Sequence, residues 1–150
     1  MNDEVIETRV QTLGDAKIPS PMLKEEHEGI HHLFYSDDDR IMINIKHGDV
    51  QAMLSQGISP PAFEVAGPRR KVYFDASKLR CAIATCGGLC PGLNDIIRAI
   101  VLELYYRYHV KIIYGVRHGL EGFIPEYNHD FLDLTPARVT TIMNMGGSIL

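Results

Sequence analysis

Residues 79–93 read Leu79-Arg-Cys-Ala-Ile-Ala-Thr-Cys-Gly-Gly-Leu-Cys-Pro-Gly-Leu93, and they decide the fold. The first seven form an apolar run, which predicts a buried strand over residues 79–85. After the glycines, apolar side chains recur at helical spacing, which predicts a helix over residues 93–108. The run Lys111-Ile-Ile-Tyr-Gly-Val116 predicts a second buried strand. Strand, helix and strand make a βαβ unit, and such a crossover implies a parallel sheet covered on both faces.

The residues before this unit follow a less regular pattern. Five of the eight prolines lie in the first 77 residues, and each biases the residue before it away from helix. Residues 40–46 alternate well enough to predict a half-buried strand, residues 50–56 predict one or two helical turns, and residues 58–68 predict an extended linker. We therefore predict an irregular N-terminal extension over residues 1–77 and the start of an α/β domain over residues 78–150.

The end of the chain carries a helix-start signal. In Thr135-Pro-Ala-Arg-Val-Thr-Thr-Ile-Met143, Thr135 is a typical N-cap and Pro136 suits the first helical position. The pattern predicts a short helix over these residues.

Composition and charge exclude several classes of protein. With 45% hydrophobic and 23% charged residues, the chain is typical of a globular domain. Neither half is strongly basic, which argues against a nucleic-acid partner. No apolar stretch reaches the roughly 18 residues of a membrane span, and the acidic N-terminus is unlike a signal peptide. The three cysteines are an odd number, so we expect a reduced, cytoplasmic protein.

The glycine loop, residues 85–92, lies between the first predicted strand and the helix. Glycines in such a turn let backbone N–H groups converge on an anion, and the helix N-terminus adds partial positive charge. The loop is neither Gly-x-Gly-x-x-Gly nor a Walker A sequence. Spacing alone therefore leaves two interpretations open, a phosphate-binding loop and a tight structural turn.

Other polar residues near the loop each have two interpretations. Cys86 and Cys90 have no further ligand at zinc-site spacing, so no metal site is predicted; Cys86 is either a reactive thiol or inert packing. Arg117 and His118 follow the second strand, where they either contact a ligand or face solvent. Arg98 either binds an anion or forms an ordinary salt bridge.

The first half of the chain offers weaker candidates. His31, His32 and His47 are expected at the surface. The stretch Ser36-Asp-Asp-Asp39 is interpreted as a solvated turn, with a divalent-cation site as the alternative.

Three stretches carry a resemblance to a known family. They are residues 82–98, Tyr114-Gly-Val-Arg-His-Gly-Leu-Glu-Gly-Phe123 and Met145-Gly-Gly-Ser-Ile-Leu150. Together they resemble the start of 6-phosphofructokinases, most closely the long-chain ATP- or pyrophosphate-dependent group with an N-terminal extension. The resemblance covers about residues 65–150 and is weaker before them, where it depends on residues 35–40. It implies the first part of a Rossmann-like three-layer domain with a parallel sheet.

The resemblance also implies roles for individual residues. Gly88, with Gly87, would lie against the phosphates of the donor, and Leu120 would lie near the adenine. Arg98 matches an arginine that binds a nucleotide effector in bacterial relatives. The second arginine of that effector site is replaced by Leu102.

The family's reaction is transfer of a phosphoryl group from ATP or pyrophosphate to fructose 6-phosphate in glycolysis, with Mg²⁺ and an aspartate base. The resemblance implies a homo-oligomer, a dimer or tetramer. The resemblance places the family's Gly-Ser-x-Arg continuation, its metal-binding Gly-Asp segment and its Thr-Ile-Asp catalytic base after the stretch that ends at Leu150, so no catalytic or metal-binding residue is predicted within the chain. We expect residues 1–150 alone to be inactive.

Two other functions are considered. One is a non-catalytic module that binds phosphate or nucleotide or mediates assembly. The other is a dinucleotide-binding oxidoreductase domain, which is disfavoured because no Gly-x-Gly-x-x-Gly is present and no acidic residue ends the second strand.

Overall fold

The computed structural model describes residues 7–150. The first six residues lie outside this range. They include most of the acidic N-terminus that is unlike a signal peptide. The chain divides into two compact units between Tyr73 and Phe74.

The first unit is built from short elements. Its strands form two antiparallel pairs, and its helices lie between them in the chain. The elements are β1 (Ile18–Pro19), α1 (Leu23–His27), β2 (Arg40–Met42), α2 (His47–Ser55), β3 (Ala62–Glu64) and β4 (Lys71–Val72), with β1 paired to β4 and β2 to β3.

Several predictions for this unit need correction. The strand predicted over residues 40–46 ends at Met42, because its partner β3 is only three residues long. Its three residues are exposed, whereas a half-buried strand was predicted. The predicted linker, residues 58–68, is not free, since β3 lies within it. The predicted helical turns begin earlier, at His47.

The early start of α2 has a local cause. The Asn44 side chain accepts a hydrogen bond from the Lys46 N–H at 2.9 Å and donates one to the Asp49 carboxylate at 2.9 Å. These bonds fix the turn before α2 and tie it to the first turn of the helix. Such local side-chain bonds are typical of helix starts.

One of the three histidines predicted at the surface is enclosed. The side chain of His32 is only 11% exposed, and its Nε2 lies 2.7 Å from Glu25 Oε2. His31 and His47 are exposed. The prediction for His32 was wrong because the carboxylate partner, seven residues away, compensates the cost of burying the imidazole.

The second unit contains a three-stranded sheet. Strands β5 (Arg80–Ala84) and β6 (Ile112–Val116) are parallel, with Cys81 opposite Ile113. Strand β7 (Leu132–Asp133) runs antiparallel to β6. The fold is therefore α/β with a partly parallel sheet; the βαβ unit is confirmed, and the sheet as a whole is mixed.

Helix α3 (Leu93–Leu102) connects the parallel strands and continues as a π-helical segment, Glu103–Arg107. In this segment the Tyr108 N–H donates to the Glu103 carbonyl five residues earlier. The helix predicted to residue 108 thus changes its hydrogen-bond pattern after Leu102. Within residues 7–150, no helix has the length and apolar character needed to cross a bilayer.

The core of this unit lies between α3 and the sheet. Each fully buried aliphatic side chain contributes about 1.5–3 kcal/mol to folding relative to exposure. The buried cluster consists of Ala76, Ile97, Val101, Val110, Ile113, Leu134, Val139 and Ile142.

The helix predicted over residues 135–143 forms only as turns. The Thr135 hydroxyl accepts a hydrogen bond from the Arg138 N–H at 3.2 Å, as a cap would. Beyond it the chain makes successive turns and ends in a 3₁₀ turn, Ile142–Asn144. The sequence Val139-Thr-Thr141 explains the difference, because three successive β-branched residues disfavour helix.

Candidate phosphate-binding site

Three segments meet at the carboxyl ends of β5 and β6. They are the glycine loop (residues 85–92), the second loop (residues 117–122) and the carboxyl segment (residues 145–150). Open α/β sheets bind ligands at this edge of the sheet. The geometry of the three segments therefore defines the candidate site.

The glycine loop is joined to the carboxyl segment by backbone contact. The Ser148 N–H donates to the Gly88 carbonyl at 2.9 Å, and the hydroxyl oxygens of Ser148 and Thr85 lie 3.4 Å apart. Gly147 adopts φ +75°, and a Cβ there would lie 3.4 Å from the Gly88 carbonyl oxygen. The carboxyl segment thus supports the glycine loop directly.

The second loop also lies against the glycine loop. Gly119 has φ +61°, and a Cβ on it would lie 2.8 Å from the Thr85 carbonyl oxygen. No side chain fits so close to a backbone atom, so glycine is required at this position. The next residue, Leu120, is 72% exposed.

Asn94, in the first turn of α3, connects the helix to the carboxyl segment. The residue is only 4% exposed. Its Nδ2 donates to the carbonyls of Met145 (3.2 Å) and Gly147 (2.7 Å), and its Oδ1 accepts the Ile149 N–H at 3.1 Å. Sequence reasoning missed this residue, although a polar side chain in the first turn of an apolar helix was the available signal.

Gly87 and Gly88 occupy different environments. Gly87 is exposed with φ +103°, and a Cβ there would meet no atom within 4 Å. Gly88 is half-buried, and its Cβ would make only ordinary contact with Ser148, at 3.8 Å. Gly92, at φ +82°, is the N-cap of α3 and has no side chain to cap the first turn. The Leu93 N–H donates to the Cys90 carbonyl at 3.3 Å, so the next amides of this turn are the ones available to a ligand. These amides and the loop backbone can hold an anion.

A cleft of about 360 Å³ lies beside the glycine loop. It does not include Gly87 or Gly88, and the carboxylate of Asp95 on its wall would repel a phosphate. An anion is therefore better placed along Gly87 and Gly88 than in the cleft. The lining residues are Leu89 to Asp95, Met143, Met145, Gly146 and Gly147.

Arg117 and His118 are both exposed in the second loop. The imidazole of His118 lies 4.3 Å from that of His129, centroid to centroid. The Nε2 of His129 lies 2.9 Å from Glu121 Oε1. His118 is thus held beside a second histidine, and Arg117 extends into solvent.

Arg98 lies one turn after Asn94 on α3 and is half-buried. Among residues 7–150 its Nε is buried without a hydrogen-bond partner, a cost of about 1–3 kcal/mol for a typical buried polar group. Leu102, one turn after Arg98, packs against the core.

The cysteines and the acidic turn show no metal-binding arrangement. Cys86 and Cys90 are exposed free thiols, whereas burial raises the pKa of the Cys81 thiol in β5. The backbone N–H of Ser36 donates to the Asp39 carboxylate at 2.7 Å, as in a local turn. Within residues 7–150, no three His, Cys, Asp or Glu side chains cluster to hold a metal ion.

Parallel strands whose carboxyl ends carry glycine loops beside a helix N-terminus are an arrangement that many α/β domains use to bind phosphate. The model of the phosphofructokinase family matches residues 80–150. These residues include all three segments of the candidate site.

Named relatives share this similarity over most of the chain. An ATP-dependent 6-phosphofructokinase of Amycolatopsis methanolica is 41% identical over 149 residues, 95% of the chain and 31% of its own length. That of Borreliella burgdorferi is 36% identical over 151 residues, 100% of the chain and 33% of its length. The ATP-dependent 6-phosphofructokinase of Entamoeba histolytica is 41% identical over 138 residues, which are 91% of the chain and 31% of its own length. The chain thus spans about a third of the length of these relatives.

Proposed function

We propose that the chain supplies the donor-phosphate loop of an ATP-dependent 6-phosphofructokinase, which phosphorylates the 1-hydroxyl of fructose 6-phosphate. The observation that carries this proposal is the convergence of three glycine-containing segments within the residues that match the family. Below, the intact enzyme means a phosphofructokinase that has these 150 residues as its N-terminal part.

In this proposal Gly87 and Gly88 line the phosphates of the donor. The open space around Gly87 leaves its backbone accessible to an anion, and Gly88 is held in place by Ser148. Leu120 is exposed beside the Gly119 contact, where it offers the adenine an apolar surface. A phosphoryl donor is bound mainly by positioning and electrostatics, which backbone amides provide without moving.

Magnesium would screen the charge of the donor phosphates when bound. We assign its ligands, the general base and the groups that hold the sugar phosphate to parts of the intact enzyme other than residues 7–150. The described residues then contribute donor binding, and the remainder contributes the chemistry.

The same proposal extends to the architecture. Exposed positions alternate along β5, with Arg80, Ala82 and Ala84 exposed, and Ile96 on α3 is 57% exposed. Further layers on these surfaces would complete a Rossmann-like three-layer domain, preceded by the extension over residues 1–77. We place the intact enzyme in the cytoplasm as a homo-oligomer, on the family resemblance.

Arg98 is proposed as an effector-site residue. Its buried, unpartnered Nε supports a role in binding an anion. Because Leu102 stands at the second arginine position, we expect an effector here to bind more weakly than one held by two arginines.

The test is a donor comparison on the purified intact enzyme at matched magnesium. Formation of fructose 1,6-bisphosphate is followed by a coupled assay with ATP and with pyrophosphate. We expect a higher kcat/KM with ATP, because the similar proteins of Amycolatopsis methanolica and Borreliella burgdorferi are ATP-dependent 6-phosphofructokinases. A higher value with pyrophosphate would overturn the choice of donor. ATP binding without turnover would favour the non-catalytic phosphate-binding module instead.

A further inference from the structure

We propose that Asn94 is a positioning residue for the phosphoryl donor. It fixes the carboxyl segment to α3, and the carboxyl segment in turn holds the glycine loop in its phosphate-binding conformation. This inference rests on the proposed function and assigns a role in it to a side chain that does not touch the donor loop itself.

The first step is the geometry of the amide. Asn94 bonds to every second residue of the carboxyl segment, through Met145, Gly147 and Ile149. Both hydrogens of Nδ2 and one acceptor position of Oδ1 are used. The residue is 96% buried, so these bonds exclude water and fix the segment at three points.

The second step runs from the segment to the donor loop. Ser148 lies between two of the fixed residues, Gly147 and Ile149. The bonds of Asn94 to these neighbours therefore orient the Ser148 N–H, which donates to the Gly88 carbonyl at 2.9 Å. The contact between the hydroxyls of Ser148 and Thr85, at 3.4 Å, supports the other end of the same loop. Loss of Asn94 should release Gly88 through Ser148.

The third step is why this position needs asparagine. Later on the same helix, Ile97 and Val101 are buried in the core. A buried polar side chain at position 94 is therefore costly unless its polar atoms are hydrogen-bonded. An apolar residue would avoid that cost but leave the segment unattached. Aspartate has nearly the same shape, but it would present oxygen to the carbonyls of Met145 and Gly147 and lose both donors.

The experiment compares Asn94→Ala and Asn94→Asp with wild type in the intact enzyme. Asn144→Asp, the same chemical change on an exposed residue near the cleft, is the matched control. We expect the KM for ATP to rise about tenfold in both Asn94 variants, in line with the loss of hydrogen bonds. The KM for fructose 6-phosphate should change by less than about twofold, because Asn94 supports the donor loop. A purely structural defect would instead raise the KM for both substrates.

Amide hydrogen exchange supplies a readout that does not need activity. The Ser148 and Ile149 amides should exchange at least about tenfold faster in both variants, while amides of β5 and β6 keep their protection. Asn144→Asp should change neither measurement. If Asn94→Asp fails to fold, Asn94→Ala decides the matter.

Two results overturn the role of Asn94. One is a wild-type enzyme that turns over ATP while both variants keep an unchanged KM for ATP. The other is an equal rise in KM for both substrates together with lost protection across the sheet, which would show a structural role only. A wild-type enzyme that uses no donor overturns the proposed function instead.

Discussion

Gly87 and Gly88 are neighbours in the glycine loop, but the backbone requires glycine at only one of them. Gly87 has a positive φ, which side chains rarely adopt, whereas a Cβ at Gly88 would make only ordinary contact. A substitution at Gly88 therefore separates ligand binding from folding. The same substitution at Gly87 would confound them.

The first prediction follows for Gly88→Val in the intact enzyme. We expect its melting temperature to stay close to that of wild type and its affinity for ATP to fall at least tenfold, because the side chain occupies the place of the phosphate. Calorimetric titration with ATP measures this. Gly48→Val, at an exposed and unconstrained position in α2, is the control. Unchanged ATP affinity in Gly88→Val would show that the donor phosphate does not bind at this loop.

A second prediction concerns the three thiols. Cys81 is half-buried in β5, where burial raises its pKa, whereas Cys86 and Cys90 are exposed. At pH 8, iodoacetamide should modify Cys81 about tenfold more slowly than the other two, since the thiolate is the reactive form. Peptide mass spectrometry measures the rates, and denatured protein provides the reference in which all three react alike. Equal rates in the folded protein would contradict the burial of Cys81.

At the scale of elements, the sequence predicts what depends on long apolar patterns. Strands β5 and β6 and the start of α3 were predicted within one or two residues, because each is an uninterrupted apolar run or a clear helical repeat. The glycine loop was also identified as the candidate site from its place between a strand and a helix.

Elements that depend on contacts between distant residues were not predictable in this way. Strand β3 exists because it pairs with β2, more than twenty residues earlier in the chain. The bonds of Asn94 to the carboxyl segment span 51 to 55 residues. Neither pairing leaves a local periodicity, so only the structure shows them.

A third prediction belongs to the 3₁₀ turn before β5. The Asp75 side chain caps this turn at Ser77, and its hydrogen bond to Lys78, with that to Ser77, lowers the pKa of Asp75 to about 2. Because this pKa is lowered from 3.8, the capping stabilisation is complete above pH 3.8 and is lost as the pH falls towards 2.

Carbon-13 shifts of the Asp75 carboxyl against pH should give a midpoint near the lowered value. Lys78→Gln should move the midpoint upward, since Lys78 is the largest cause of the shift. An unchanged titration midpoint of Asp75 in the Lys78→Gln variant would show that the ion pair does not form in solution.

At the scale of the whole molecule, much apolar surface is exposed. Ile96 and Ile100 on α3 are 57% and 40% exposed, and Ile112 in β6 is 38% exposed. Large apolar surfaces of this kind mark places where other parts of a protein pack. These exposed apolar residues are consistent with the finding that the chain spans about a third of the length of the relatives it matches.

The fourth prediction is that residues 1–150 expressed alone associate and do not convert fructose 6-phosphate. The reason is that apolar surface and strand edges remain uncovered, and the proposed catalytic groups lie elsewhere. Light scattering after size exclusion measures association, and the coupled assay measures turnover. Turnover by this segment with any donor would place catalytic groups within it.

The bonds of Asn94 also lead us to expect an order of events during folding. Strands β6 and β7 lie between α3 and the carboxyl segment in the chain, so we expect this contact of long sequence separation to form late in folding. During synthesis, the glycine loop leaves the ribosome about sixty residues before Ser148, the residue that supports it. In pulse-labelled hydrogen exchange, the Ser148 amide should gain protection after the amides of β5. A nascent chain of this protein would then hold a formed sheet before the proposed phosphate-binding loop has its support.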